Sequence, residues 1–92
     1  MRPKKERWIR CKPGTTCFRP QFKDPEELEG VILELDELEA VRLSDLNGLK
    51  QEQAAEQMRI SRPTFSRIIA SARKKTADAL VNGKAIKIKS RE

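Results

Sequence analysis

At 92 residues and 37% apolar content, the chain can build one domain spanning 1–92 with a thin core. Three Phe, one Trp and no Tyr fill a monomer poorly and leave room for a homodimer. No apolar run is long enough to span a bilayer and no signal-peptide pattern opens the chain, so a cytoplasmic protein with no membrane partner is expected. The net charge of +6 is unevenly laid out. Residues 1–23 carry eight bases against one acid, residues 24–46 nine acids against one base, and residues 47–92 eleven bases against four acids. Two basic blocks flanking an acidic one suit a polyanion, most often nucleic acid.

Residues 1–25 are rich in Pro and charge. Met1 to Arg7 reads as a basic arm, with Arg2, Lys4 and Lys5 as candidates to enter a minor groove. "WIRC" and "CFRP" are short β-prone pieces around the turn sequence "KPGTT", which predicts a small N-terminal β-hairpin. Pro20 and Pro25 argue against regular structure before position 26. In "LELDELEAVRLSDLNG", Leu35, Leu38, Val41 or Arg42, and Leu46 recur at helical spacing, predicting one helix over 35–46. Glu34 stands as its N-cap with Glu37 three residues on, acids fill its first turn, and Asn47-Gly48 supplies a left-handed stop.

"KQEQAAEQM" predicts a short helix with Ala54, Ala55 and Met58 on one side, the alanines allowing close helix approach. Arg59-Ile60 is the turn, and Ser61 caps a long helix to about Val81. The apolar stripe of that helix runs Phe65, Ile68, Ile69, Ala72, Thr76, Ala79 and Leu80. Pro63 falls in its first turn, where a missing N–H costs nothing. Asn82-Gly83 ends it, and "KAIKIKSRE" allows a strand at 85–88 to pair with the hairpin. The expected fold is mainly α: a helix-turn-helix core over 34–81, with a C-terminal strand and tail over 82–92.

Paired alanines, a tight turn and a second helix opening at Ser form the layout of a helix-turn-helix. With Phe65, Ile68, Ile69 and Ala72 inward, the other side of the second helix carries Arg62, Pro63, Ser66, Arg67 and Ala70. The first turns of such a helix reach base edges, and Arg reads guanine bidentately. Arg62 and Arg67 are therefore the expected base readers, with Pro63 and Ser66 beside them. Thr64, Arg73 and Lys74, with Lys75, are expected at phosphates.

This stretch, with Ile9, Pro13, Phe18 and Pro20 ahead of it, resembles the uncharacterised protein family 0251, or domain of unknown function 134. That family comprises small bacterial and archaeal proteins predicted to bind DNA. The helical half is similar to the last DNA-binding region of bacterial sigma factors. The resemblance implies that Arg62, Pro63, Thr64, Ser66 and Arg67 face the bases. In the family pattern the cap before the first helix of the motif is Ser or Thr and the turn holds Gly; here they are Lys50 and Arg59. Both replacements add charge where the motif nears the DNA backbone, so Lys50 and Arg59 join the expected phosphate contacts.

Cys11 and Cys17, with no His in the chain, fall short of a four-ligand zinc site unless a dimer supplies four thiolates. A stable disulfide is not expected in a cytoplasm, although the hairpin could place the two opposite one another. The resemblance, whose pattern has apolar or aromatic residues at these positions, favours plain packing over a redox or metal role. No cofactor or metal is expected. Without His, without a phosphate-binding glycine loop and with Glu34, Asp36, Glu37 and Glu39 on a solvated helix face, an enzyme is not expected either. The expected function is a sequence-specific DNA-binding transcriptional regulator with double-stranded DNA as partner. The alternative is a protein-interaction adaptor that docks a partner through the acidic first helix. RNA is disfavoured because few aromatics are available for stacking.

Overall fold

The computed structural model describes residues 17–21 and 28–89. Strand β1 (Cys17–Phe18) and strand β2 (Gly30–Leu33) precede helices α1 (Leu35–Val41), α2 (Gln51–Met58) and α3 (Arg62–Asn82), and strand β3 (Ala85–Ile88) follows. The mainly helical fold with a small β element is the one expected. The basic arm with Arg2, Lys4 and Lys5, and the first limb of the expected hairpin, lie outside the described residues.

Apolar burial builds the helical body around Phe65, Leu43 and Ile69, the largest fully buried side chains. Ala40 from α1 and Ala54 and Ala55 from α2 complete this cluster, with Val41, Leu49, Met58, Ile60 and Ile68 packed against it. The small alanines let the backbones approach, so the Phe65 ring can fill the space between three helices. Its truncation to Ala would cost about 3–5 kcal/mol.

α1 begins as expected, with Glu34 as cap in extended conformation and its N–H donating to Glu37 Oε1 at 2.8 Å. Its end differs. After Val41 the chain widens over Arg42–Leu46 into a π-type turn, Asn47 N–H reaching back to the Arg42 carbonyl at 2.9 Å. Gly48, at φ 73°, then reverses the chain, and Leu49 N–H reaches the Leu43 carbonyl at 3.0 Å.

Within the widened segment Leu43 enters the core and Leu46 is 77% exposed. The expected leucine line faces outward from the start of the helix: Leu35 and Leu38, ahead of the widening, are exposed too, and the inward positions are Glu37, Ala40 and Leu43. Along α3 the apolar stripe holds for Phe65, Ile69, Ala72 and Ala79, whereas Leu80 is 75% exposed. Leu80 sits about 60° round the helix from Phe65, beyond the sector that the rest of the stripe covers. Gly83, at φ 67°, ends α3 where the Asn-Gly pair predicts.

The sheet has the order β1-β3-β2. β1 pairs antiparallel with β3 (Cys17↔Lys87, Phe18↔Ile86), which is the expected contact between the C-terminal strand and the N-terminal segment. β2 was not foreseen. It pairs parallel with β3, from Gly30↔Ala85 to Leu33↔Ile88. Leu28 and Ala85 form a second buried cluster, with Cys17 packed against it. Cys17 thus packs as expected, but it is also disulfide-bonded, contrary to the expectation of packing alone. Cys11 lies outside the described residues.

Candidate nucleic-acid interface

The α2–turn–α3 unit is held by its ends. Lys50 is the N-cap of α2, and its N–H donates to Gln53 Oε1 at 3.1 Å. An ammonium cannot accept a hydrogen bond, so the other half of a capping box is missing and a positive charge stands at the positive end of the helix dipole. α2 closes on Arg59, at φ 59° and ψ 44°, the one non-glycine residue with positive φ among the described residues. Its N–H donates to the Glu56 carbonyl at 3.1 Å, and Ile60 N–H to the Ala55 carbonyl at 3.1 Å. Holding a side chain in this left-handed region, which favours glycine, costs about 1 kcal/mol.

Ser61 caps α3 as its sequence position predicts, its Oγ accepting from Thr64 N–H at 3.2 Å. The Ser61 hydroxyl donates to Thr64 Oγ1 at 2.9 Å, and Arg67 Nη2 reaches the same oxygen at 3.5 Å. Pro63 lies in the first turn. Arg62, Pro63, Ser66 and Arg67 are all exposed. Pro63 and Arg67 lie opposite the buried line, whereas Ser66 and Arg62 lie about 100° and about 60° round the helix from Phe65. Thr64 is half-buried. Lys74 is exposed one turn beyond Ala70.

Two of the expected phosphate contacts are engaged inside the molecule. Arg73 pairs with Asp45, Nη2 to Oδ1 at 2.6 Å and Nε to Oδ2 at 3.2 Å, and it touches Ser44 Oγ at 3.4 Å. The Arg73 hydrogen bond holds the Asp45 carboxyl below its ordinary pKa, against a smaller upward push from burial. Lys75 donates to Glu37 Oε1 at 2.8 Å and to the Ile32 carbonyl at 2.9 Å. Both cations brace α3 against the segment that precedes α2.

Glu37 corrects the expectation of a solvated carboxylate. It is 6% exposed, and Ser71 Oγ donates to its Oε2 at 2.5 Å, beside the Lys75 and Glu34 donors. Burial pushes its pKa up; the hydrogen bonds from Lys75, Ser71 and the Glu34 N–H outweigh that and hold it below the usual carboxylate value. Its place in the capping box was legible in the sequence, but the inward turn of its carboxyl was not.

The remaining ion pairs follow the same division. Glu39 pairs with Arg42, Asp78 and Glu29 with Lys84, and Glu34 with Lys89. Among the described residues Lys50, Arg59, Arg62, Arg67 and Lys74 have no acidic partner within ion-pair distance, and outside the helical unit only Arg19 and Lys87 share that state. An open groove runs along one flank of α2, lined by Glu52, Gln53, Ala55, Glu56, Ile60 and Arg62. Its two carboxylates, one turn apart, make that flank unfavourable for a phosphate and mark an edge of the cationic surface. No cluster of His, Cys, Asp and Glu able to hold a metal ion occurs among the described residues. No helix of the described residues is long and apolar enough to cross a membrane.

All of residues 1–92 match the family described as "Protein of unknown function DUF134". The chain belongs to this family. The UPF0251 protein of Caldanaerobacter subterraneus subsp. tengcongensis is 59% identical over 87 residues, covering 95% of this chain and 74% of the relative. That of Moorella thermoacetica is 54% identical over 87 residues, covering 95% of this chain and 58% of the relative. That of Chlorobaculum tepidum is 51% identical over 89 residues, covering 91% of this chain and 58% of the relative. No solved structure matches the chain. This DUF134 chain thus joins relatives whose names carry no activity, and its own side chains have to supply the functional argument.

Proposed function

We propose that this protein is a sequence-specific DNA-binding transcriptional regulator that sets the first turns of α3 in a major groove. The observation that carries the reading is the sorting of its cations. On the side of α1 and the sheet, Arg42, Arg73, Lys75, Lys84 and Lys89 are paired with carboxylates and, among the described residues, only Arg19 and Lys87 are not; on α2, the turn and the exposed part of α3, Lys50, Arg59, Arg62, Arg67 and Lys74 all lack a carboxylate within ion-pair distance. A molecule with a net charge of +6 would spread its unpaired cations to minimise repulsion unless a polyanion drew them to one side. Arg62 and Arg67 then read base edges with Pro63 and Ser66 beside them, and Lys50, Arg59 and Lys74 meet phosphates. Thr64, its Oγ1 already accepting twice, retains one hydroxyl hydrogen for a phosphate oxygen. Two copies on a two-fold site would need half-sites about 34 Å apart.

The adaptor reading through the acidic first helix has less in its favour. Glu34, Glu37, Glu39 and Asp45 each hold a cation of the same chain, which leaves Asp36 as the unpaired acid of that segment. Selection of bound duplexes from a random DNA pool tests the proposal. Enrichment of a motif containing guanine, with affinity falling steeply as salt rises, is the expected result. A pool with no enriched motif would remove the sequence-specific reading.

A further inference from the structure

The outward line of α3 alternates charge with bare methyl. Phe65, Ile69, Ala72 and Ala79 mark the buried side. On a period of 3.6 residues the opposite line runs through Pro63, Arg67, Ala70 and Lys74, all of them exposed. Arg67 and Lys74 stand two turns apart, about 10 Å along the axis, comparable with a major-groove width of about 12 Å. Ala70 lies between them. Its one other long neighbour toward the C-terminus, Arg73, is drawn away to Asp45. A methyl group between two unpaired cations is a poor surface for an apolar protein partner, because docking there would desolvate both charges.

Arg67 is steered by its neighbours. Its Nη2 is drawn toward Thr64 Oγ1, which the Ser61 hydroxyl holds in place from the N-cap. This aims the guanidinium toward the N-terminal end of the rim and leaves the space over Ala70 open. If Arg67 takes guanine O6 and N7, Ala70 faces a neighbouring base pair. A methyl group pressed on a donor or acceptor edge would leave that edge without a hydrogen bond. Thymine is the base that offers an apolar group in the major groove, its 5-methyl.

We propose that Ala70 is a specificity-determining residue whose methyl packs on the 5-methyl of a thymine beside the guanine contacted by Arg67. The proposal rests on the DNA-binding reading above and sharpens it. The recognised element then contains a guanine and a nearby thymine, with Lys74 on a phosphate past that thymine.

Replacement of each thymine of the selected duplex by deoxyuridine, one position at a time, removes only the methyl group. The parent protein should lose about three- to fivefold in affinity at one thymine near the essential guanine, the effect of exposing one methyl. Ala70→Gly should bind thymine and deoxyuridine equally at that position. Ala70→Ser, which keeps the helix better, should show a reduced difference. Arg67→Ala should lose the guanine preference. Equal binding of deoxyuridine at every thymine by the parent, or an undiminished methyl effect in both Ala70 variants, would overturn the assignment while leaving DNA binding intact. Failure of the parent to enrich any motif would instead overturn the DNA-binding reading, and this proposal with it.

Discussion

The Lys75 ammonium joins three elements: it donates to Glu37 on α1 at 2.8 Å and to the Ile32 carbonyl of β2 at 2.9 Å while standing on α3. Glu37 is buried and accepts from three donors, so either partner left alone would be costly. Glu37→Gln and Lys75→Met should each lower the free energy of unfolding by about 2 kcal/mol. Urea titration would register this as a lower midpoint at unchanged slope. An unaltered midpoint in both variants would refute the bracing role.

Acid should act through the same carboxylate. Its folded pKa lies below the ordinary 4.5, so the unfolded chain takes up its proton first as pH drops. The stability it contributes is full above about pH 4.5 and is lost as pH falls through the lower folded value. Asp45, also held low, acts in the same sense. Thermal melts of the parent from pH 7 to pH 3 should therefore fall more steeply below pH 4.5 than those of Glu37→Gln.

Lys50 and Arg59 give up local stability at the two ends of α2. Arg59→Gly should stabilise the fold by about 1 kcal/mol by relieving the left-handed side chain, and Lys50→Ser by a similar amount by restoring a cap. If these cations meet phosphates, each variant should also reduce the slope of log affinity against log salt by about 0.9. Unchanged DNA affinity at all salt concentrations in both variants would refute their contact role.

Arg73 and Lys74 are neighbours in sequence with different assignments. Lys74→Ala should reduce the salt slope by about 0.9, whereas Arg73→Ala should leave it nearly unchanged. The exposed Arg73–Asp45 pair is worth no more than about 1 kcal/mol, so Arg73→Ala should lower the unfolding midpoint only slightly. Equal slopes for the two variants would reverse the distinction.

Loss of the α3 cap should cost about 1 kcal/mol in Ser61→Ala, a drop of roughly 4–8 °C in Tm for a domain of this size. It should also release Thr64 and Arg67, which the Ser61 hydroxyl helps to place. Calorimetry checks the first effect, and loss of guanine preference in a binding assay checks the second.

Local signals along the chain carried most of the helical body. Ser61, Pro63, Gly48 and Gly83 act through backbone geometry within a few residues, and each stands where its sequence context places it. Long-range partnerships were harder to see. The four residues of β2 form an apolar run too short to show a period, and their mate lies beyond all three helices. Glu37, Arg73 and Lys75 read as surface charges because their partners are 28–38 residues away. The leucines of the first helix share one line, but its buried line is Glu37, Ala40 and Leu43; the spacing of the leucines showed a face without showing that a buried carboxylate and a small alanine, not the leucines, meet α3.

The parallel pairing of β2 with β3 sets an order of events in folding. Helices can form as soon as their own residues are available, but Leu33 and Ala85 enclose all three of them, and the Ala85 N–H to Glu29 carbonyl bond of 2.8 Å cannot exist until the last strand has been made. Loop closure over that span is entropically slow compared with helix growth. On the ribosome, residues 85–88 emerge after all three helices, so α3 can take shape while the sheet that anchors its far end is still open.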